Sequence, residues 1–163
     1  MTTLLDKLEV IQSYVIPPDP PTNKGTISAS AIRNLYRNVF PKYADVIHIS
    51  DAYFEITTIV ELRRFINWSV VDRIIYEKER RDCDDFAIAL AGEFARYKGW
   101  SGFPVTFIWG SYGGGHAFLT AVAWPSLTDR TPTIYYIEPQ DDHEIAEESV
   151  EDMELWLLPM ARQ

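Results

Sequence analysis

Three residues in the second half of the chain are of types that cooperate in catalysis. The one cysteine, Cys83, stands in the stretch "RRDCDDFAIAL", and His116 follows it 33 residues later. Glu138 comes a further 22 residues on. A thiol nucleophile, an imidazole base and an orienting carboxylate are the groups of a Cys-His-Glu triad. The set predicts that the thiol attacks the carbonyl of an amide or peptide bond and forms a thioester, which water would resolve in a cysteine hydrolase and an amine in a transamidase.

The predicted elements explain how these residues would meet. Apolar residues recur at three- and four-residue steps after Cys83, which predicts a helix over residues 83–98 that ends at Gly99. The unpaired N–H groups at the start of a helix stabilise a thiolate. The period then changes to two, which predicts antiparallel strands over residues 103–110, 116–124 and 133–139. The second of these strands starts where the third ends, so His116 and Glu138 should lie at one edge of the sheet.

The rest of the chain is predicted to be mainly helical. Helices are expected over residues 3–16, from Ser28 or Ser30 to Phe40, and over 58–75. The proline-rich segment 17–25 favours a stiff linker, residues 44–58 a short strand, and the tail from Val150 a short helix. The predicted fold class is therefore α+β, with helices followed by an antiparallel sheet. Residues 1–163 are expected to form one domain, with a helical part (1–75), a core (76–140) and a carboxy-terminal extension (141–163).

Residues 76–140 resemble the transglutaminase-like and papain-like superfamily of cysteine peptidases. The stretch "CDDFA" at 83–87 matches its Cys-x-x-Phe/Tyr-Ala signature, and "GGGHAFLTAV" and "YYIEP" are similar to its histidine strand and acidic strand. "EPQ" at 138–140 reproduces the spacing of the papain-like domain of fungal chimerolectins, the mushroom agglutinins. The resemblance implies a papain- or transglutaminase-like core with the nucleophile at a helix amino terminus, and the activity of a thiol protease or amidase.

The aspartates around the cysteine depart from that pattern. Papains and transglutaminases carry a tryptophan directly after the cysteine, where this chain has Asp84. An adjacent carboxylate raises a thiol pKa, whereas a bound divalent cation would reverse the effect. The triad itself requires no cofactor, but the resemblance to the agglutinin domain implies Ca²⁺ or Mn²⁺, with Asp84, Asp82 and Asp85 as candidate ligands. In the alternative interpretation Asp82 caps the helix, and the other two acids favour its dipole.

An oxyanion hole would complete the predicted site. The backbone N–H of Cys83 is the expected first donor. Gln140, Tyr76 and Trp68 are the candidates for the second donor, and the sequence does not choose among them.

Composition limits the partners. The net charge of −9 argues against nucleic acid, because binding to phosphates rests on lysine and arginine. No run of 18 apolar residues and no signal peptide is present, so the expected location is the cytoplasm or a phage particle, with no membrane partner. The predicted partner is a protein or peptide substrate, a peptidoglycan peptide included, and the oligomeric state is open. The alternative function is a non-catalytic transglutaminase-like module with a binding or structural role, such as a virion component.

Overall fold

A five-stranded antiparallel sheet is the largest element of the fold. The computed structural model describes residues 16–42, 47, 49–78, 80–111 and 115–145, together with the backbone of 151–154. The sheet has the strand order β6-β5-β4-β3-β7, and β1 and β2 form a separate antiparallel pair. In chain order the elements are β1 (Gly25–Ser28), α1 (Ala29–Val39), β2 (Tyr53–Ile56), α2 (Ile59–Ile66), α3 (Cys83–Arg96), β3 (Val105–Ser111), β4 (Gly115–Ala123), β5 (Thr133–Ile137), β6 (Glu144–Ile145) and β7 (Glu151–Glu154).

The large sheet separates two hydrophobic cores. Because side chains alternate along a strand, β4 supplies Ala117 and Leu119 to one core and Phe118 and Val122 to the other. Helices α2 and α3 close the first core, which also contains the fully buried Trp100. Helix α1 and the β1–β2 pair close the second core. The start of α3 is thereby packed on the same sheet that carries residue 116.

The helix predicted from Ser28 or Ser30 to Phe40 is confirmed as α1, with the serine cap at its start. Helix α1 begins after Ser28, whose Oγ accepts a hydrogen bond of 3.2 Å from the N–H of Ala31. From the same helix, Tyr36 is buried and its hydroxyl is 2.7 Å from Oγ1 of Thr120 on β4. This hydrogen bond pairs two polar groups that would otherwise be buried without partners, and it joins α1 to the sheet.

The helix predicted over 58–75 ends early. Helix α2 stops at Ile66, and only a 3-10 turn, Val71–Arg73, follows it. The chain leaves the helix so that Trp68 packs on Phe65, with their ring centroids 5.3 Å apart. The Oγ of Ser69 then accepts the N–H of Val71 at 3.2 Å and starts the 3-10 turn. Tertiary packing of an aromatic ring has overridden the helical period here.

The prediction of a linker over 17–25 is correct only for its first part. Gly25 opens strand β1 opposite Ile56, and a Cβ there would lie 2.8 Å from the ring of Trp124. The preceding prolines are attached to the first core, since Trp100 donates its indole N–H to the carbonyl of Pro18 at 2.9 Å. The segment therefore crosses the protein surface as a packed strap.

The carboxy-terminal part of the chain differs from the prediction. The tail was expected to be helical from Val150, but residues Glu151–Glu154 form strand β7, which pairs with β3. An unpaired edge of β3 favours an extended partner over a short helix. Except for its last residue, the helix predicted over residues 3–16 lies outside the described residues.

The α+β class is confirmed, and the meander of β3, β4 and β5 is antiparallel as predicted. The part of the chain before α3 is mixed rather than helical, because β1 and β2 lie within it. Among the described residues, no helix has the length and hydropathy that crossing a membrane requires.

Candidate functional site

The predicted nucleophile lies where α3 meets β4. Cys83 is the first residue of α3 and is partly buried against the first core. Backbone N–H groups of Ala117 and Asp84 hydrogen-bond to its sulfur. Since Ala117 directly follows His116, the fold brings the thiol to the end of β4 that carries the imidazole.

The electrostatic surroundings of Cys83 keep the thiol protonated. Burial raises its pKa above the ordinary value of 9.0, and the charges of Asp82 and Asp84 raise it further. The two backbone hydrogen bonds act in the opposite direction but do not outweigh burial and the two charges. A thiol with a raised pKa is mostly uncharged at neutral pH, so nucleophilic attack would need a neighbouring base to remove its proton.

Two of the three candidate metal ligands come together. Oxygens of Asp82 and Asp84 and the sulfur of Cys83 all lie within 4.8 Å of one another. A hydrogen bond with the Asp82 side chain raises the pKa of Asp84, and burial and the Asp82 charge add to this effect. Asp85 is exposed and lies outside this group. Asp82 occupies the N-cap position of α3 but makes no side-chain capping hydrogen bond, so capping does not account for its carboxylate.

His116 and Glu138 form a pair at the end of the sheet. Nε2 of the imidazole is hydrogen-bonded to Oε2 of the carboxylate, and the two side chains are only 17% and 7% exposed. The N–H of Gln140 donates to the other carboxylate oxygen at 3.1 Å, and the backbone of Glu138 bonds to residues 142 and 143. On its other side the imidazole stacks against Phe118, with a centroid distance of 6.0 Å. The carboxylate therefore fixes the orientation of the imidazole.

The three candidate oxyanion donors have different surroundings. Gln140 contributes its backbone N–H to Glu138, as described above. Trp68 packs between Phe65 and Tyr97, at centroid distances of 5.3 and 5.2 Å, in an aromatic group at the end of α2. Tyr76 is exposed in the loop that leads into α3. The role of each as an oxyanion donor stays a prediction.

One residue of the site was missed by the sequence reasoning. Trp109 on β3 is paired with Ala117 on β4, so its side chain lies on the same sheet face as that residue. The indole is 37% exposed, and a Cβ on Gly115 would lie 3.5 Å from its Cζ2. In the sequence the only signal was a tryptophan near the end of a predicted strand, four residues before the glycine run at 113–115. The sequence does not show whether a tryptophan at this position is buried or exposed.

The comparisons with known proteins find lectin structures. No protein-family model matches the sequence, and no curated protein does. One solved structure that matches is PSL1a in complex with E64, at a TM-score of 0.61 and 20% identity. The match covers 78% of this chain and 48% of that one, so this chain spans about half of the PSL1a chain. Another is Polyporus squamosus lectin bound to the epitope Neu5Acα2-6Galβ1-4GlcNAc, at a TM-score of 0.50 and 20% identity, with coverage of 65% and 40%.

These findings contradict the assignment to a cysteine peptidase family. The matched solved structures belong to a sugar-binding lectin, which overturns the predicted hydrolase activity and the predicted protein or peptide substrate. The signature at residues 83–87 has a packing explanation, because Phe86 and Ala87 are both buried in the first core beneath the start of α3. Of the predicted resemblance to fungal chimerolectins, only the link to a lectin agrees with these structures, and it agrees in part.

Proposed function

We propose that this chain is a non-catalytic binding module that uses a transglutaminase-like helix-on-sheet core to recognise carbohydrate. The observation that carries the proposal is the similarity of fold to PSL1a over 78% of the chain, together with the glycan named for the second lectin structure. The raised pKa of the Cys83 thiol is consistent with binding rather than with nucleophilic attack.

The surface around Trp109 is suited to a sugar ring. A sugar presents an apolar face of C–H groups and a rim of hydroxyls, and a binding site matches these with an aromatic ring and a few fixed polar groups. The half-exposed indole of Trp109 supplies the aromatic surface. Ala117, the partner of Trp109 on the neighbouring strand, hydrogen-bonds to the sulfur of Cys83, and the next residue, Asp84, offers a hydroxyl acceptor. We place the ligand on Trp109, with the His116–Glu138 pair as a rigid support behind it.

The charge of the module favours a neutral sugar. The net charge is −9, and Asp82 and Asp84 stand beside the proposed site. A sialic acid carboxylate would be repelled by these groups. We therefore expect the neutral disaccharide Galβ1-4GlcNAc to bind more tightly than the sialylated trisaccharide.

A divalent cation is part of the proposal as an accessory group. The two clustered carboxylates of Asp82 and Asp84 provide the oxygen ligands that Ca²⁺ prefers, and Mn²⁺ accepts them too. The hydrogen bond with the Asp82 side chain, which raises the pKa of Asp84, needs a proton on one of the two carboxyl groups, and a bound cation would displace that proton. Asp82 and Asp84 would hold the ion, which would supply positive charge for a hydroxyl of the neutral sugar.

Isothermal titration calorimetry tests the proposal. The protein is titrated with Galβ1-4GlcNAc and with Neu5Acα2-6Galβ1-4GlcNAc, each with and without Ca²⁺. Trp109→Ala should abolish the heat of binding, whereas Tyr53→Ala, which removes an aromatic ring that is 62% exposed on β2, should leave it unchanged. The absence of heat with both glycans up to millimolar concentration would exclude the proposal. Heat that survives Trp109→Ala would remove the ligand from this surface.

The organisation of residues 1–163 as one domain stays a prediction, and so does the location in the cytoplasm or a phage particle.

A further inference from the structure

The segment between the 3-10 turn and α3 exposes three consecutive apolar side chains. Ile74, Ile75 and Tyr76 are 36%, 75% and 54% exposed, and the backbone of Ile74 is extended, with a φ of −66° and a ψ of 133°. Neighbouring side chains in an extended segment point to opposite sides, so a segment packed on the protein would bury every second one. Since all three are exposed, the segment projects from the surface. Consecutive exposed apolar residues are typical of a contact surface.

Cations stand on both sides of these apolar residues. Four cations with exposed side chains flank them: Arg73, Lys78, Arg80 and Arg81. The sequence from 73 to 81 contains these four cations and two acids, a formal charge of +2 in a chain whose net charge is −9. The projecting segment therefore has a charge opposite in sign to that of the whole chain.

A short hairpin holds the last two cations close to the apolar residues. Glu77 and Arg81 form an antiparallel bridge, in which the N–H to carbonyl distances are 3.0 and 2.8 Å in the two directions. The carboxylate of Glu77 lies 3.2 Å from a guanidinium nitrogen of Arg80 and 3.0 Å from one of Arg81. One acid, directly after Tyr76, thus positions both arginines, while 77% of the Arg80 side chain stays exposed.

The negative charge of the rest of the chain acts on this segment only weakly. At physiological ionic strength, salt screens exposed charges that lie more than about 8 Å apart. For a projecting segment that touches a charged surface, its own charges therefore dominate. Asp82 and Asp84, the next acids along the chain, are partly buried, and their oxygens lie within 4.8 Å of the sulfur of Cys83.

We propose that residues 73–78, 80 and 81 form a membrane-docking loop, which places Ile74, Ile75 and Tyr76 in the interface of an anionic lipid bilayer while its cations contact the headgroups. Apolar and aromatic residues flanked by lysine and arginine are the composition of segments that lie in a bilayer interface. A protein partner fits less well, because a specific protein–protein contact buries about 1,000 Å² or more, and three partly exposed side chains fall well short of one partner's share. The docking loop acts independently of the proposed glycan site.

Co-sedimentation with lipid vesicles tests the proposal on the full chain. The protein is mixed with vesicles of equal parts phosphatidylcholine and phosphatidylserine, in a buffer without divalent cations. Vesicles of phosphatidylcholine alone are the neutral control. We expect binding to the anionic vesicles to be at least about tenfold tighter than binding to the neutral ones, because each cation near an anionic surface adds to the attraction.

Two sets of variants separate the apolar and the charged parts of the docking loop. Ile75→Ser should weaken binding by about tenfold. Its matched control is Val60→Ser, because Val60 is a β-branched residue that is 61% exposed on α2. Arg80→Gln combined with Arg81→Gln should weaken binding to anionic vesicles by at least about tenfold. Arg37→Gln removes an exposed cation from α1 and should leave binding unchanged, as should Val60→Ser.

Hydrogen exchange at short labelling times locates the contact on the wild-type protein. Anionic vesicles should slow the exchange of the amides of residues 74–76 and leave those of β1 unchanged. Equal sedimentation of the wild type and Ile75→Ser, or vesicle protection that spares residues 74–76, would overturn the proposal. A wild-type protein that binds neither kind of vesicle would overturn it as well, and would favour a protein partner for the loop. Since neither lipid carries a sugar, these results leave the glycan-binding proposal untouched.

Discussion

The reactivity of Cys83 separates a binding module from a thiol enzyme. A thiol with the ordinary pKa of 9.0 is about 1% thiolate at pH 7, and the raised pKa in the folded protein brings the fraction below that. Because the thiolate is the reactive form, the folded protein should react with iodoacetamide at pH 7 more slowly than its own unfolded chain, in which the thiol pKa is unperturbed.

The causes of the raised pKa can be tested one at a time. Asp82→Asn or Asp84→Asn removes one of the two charges that raise it, so each should speed alkylation at pH 7 by about two- to fivefold. Asp85→Asn is the matched control. Asp85 has the same residue type and lies in the same helical turn, but it is exposed and outside the cluster with the sulfur. Its replacement should change the rate by less than either of the other two.

The assay is the pH dependence of the alkylation rate between pH 6 and 10, followed by intact-protein mass spectrometry. The unfolded chain in urea serves as the internal reference for an unperturbed thiol. The expected profile for the folded protein has its midpoint above 9.0, the ordinary value. A midpoint below about 8.5, or a rate at pH 7 that matches or exceeds that of the unfolded chain, would refute this account of the electrostatics.

Three further predictions concern stability. Tyr36→Phe leaves the buried hydroxyl of Thr120 without its partner and should lower the free energy of unfolding in urea by about 1–3 kcal/mol. Adding Thr120→Val should restore most of this loss. A double variant as unstable as the single one would contradict the prediction. Gly99→Ala should lower the free energy of unfolding by at least about 1 kcal/mol in the same assay. Residue 99 has a φ of 89°, and a Cβ there would overlap Cγ of Pro20. An unchanged urea midpoint would count against this prediction. The pKa of Asp142 is raised from 3.8 to about 7, so the stability of the wild-type protein should fall between pH 4 and 7. The expected fall is about 1–2 kcal/mol, because part of the side chain is exposed to solvent, and Asp142→Asn should remove it. Parallel pH profiles of variant and wild type would disprove this.

Local sequence signals predicted most of the elements, because each depends on residues close together in the chain. The serine cap of α1, the apolar stripe of α3 and the alternation in β3, β4 and β5 are all such signals. The pairing of His116 with Glu138 also followed, because an antiparallel meander fixes which strand ends meet.

The errors arose where distant contacts decide the structure. Helix α2 ends at Ile66 because Trp68 turns to pack on an aromatic group that includes Tyr97, about thirty residues away. Strand β7 forms because the edge of β3 is open to it.

The spacing of Cys83, His116 and Glu138 indicated chemistry, but spacing does not determine the charge on a thiol. Burial and two neighbouring aspartates oppose the helix dipole at the start of α3, and together they keep the sulfur protonated. The same fold that brings the three residues to one sheet end therefore also raises the pKa of the thiol there. A rigid imidazole–carboxylate pair, clustered acids and a half-exposed indole remain at that end of the sheet. These are groups that can hold a ligand by hydrogen bonds and stacking, as the proposed binding role requires.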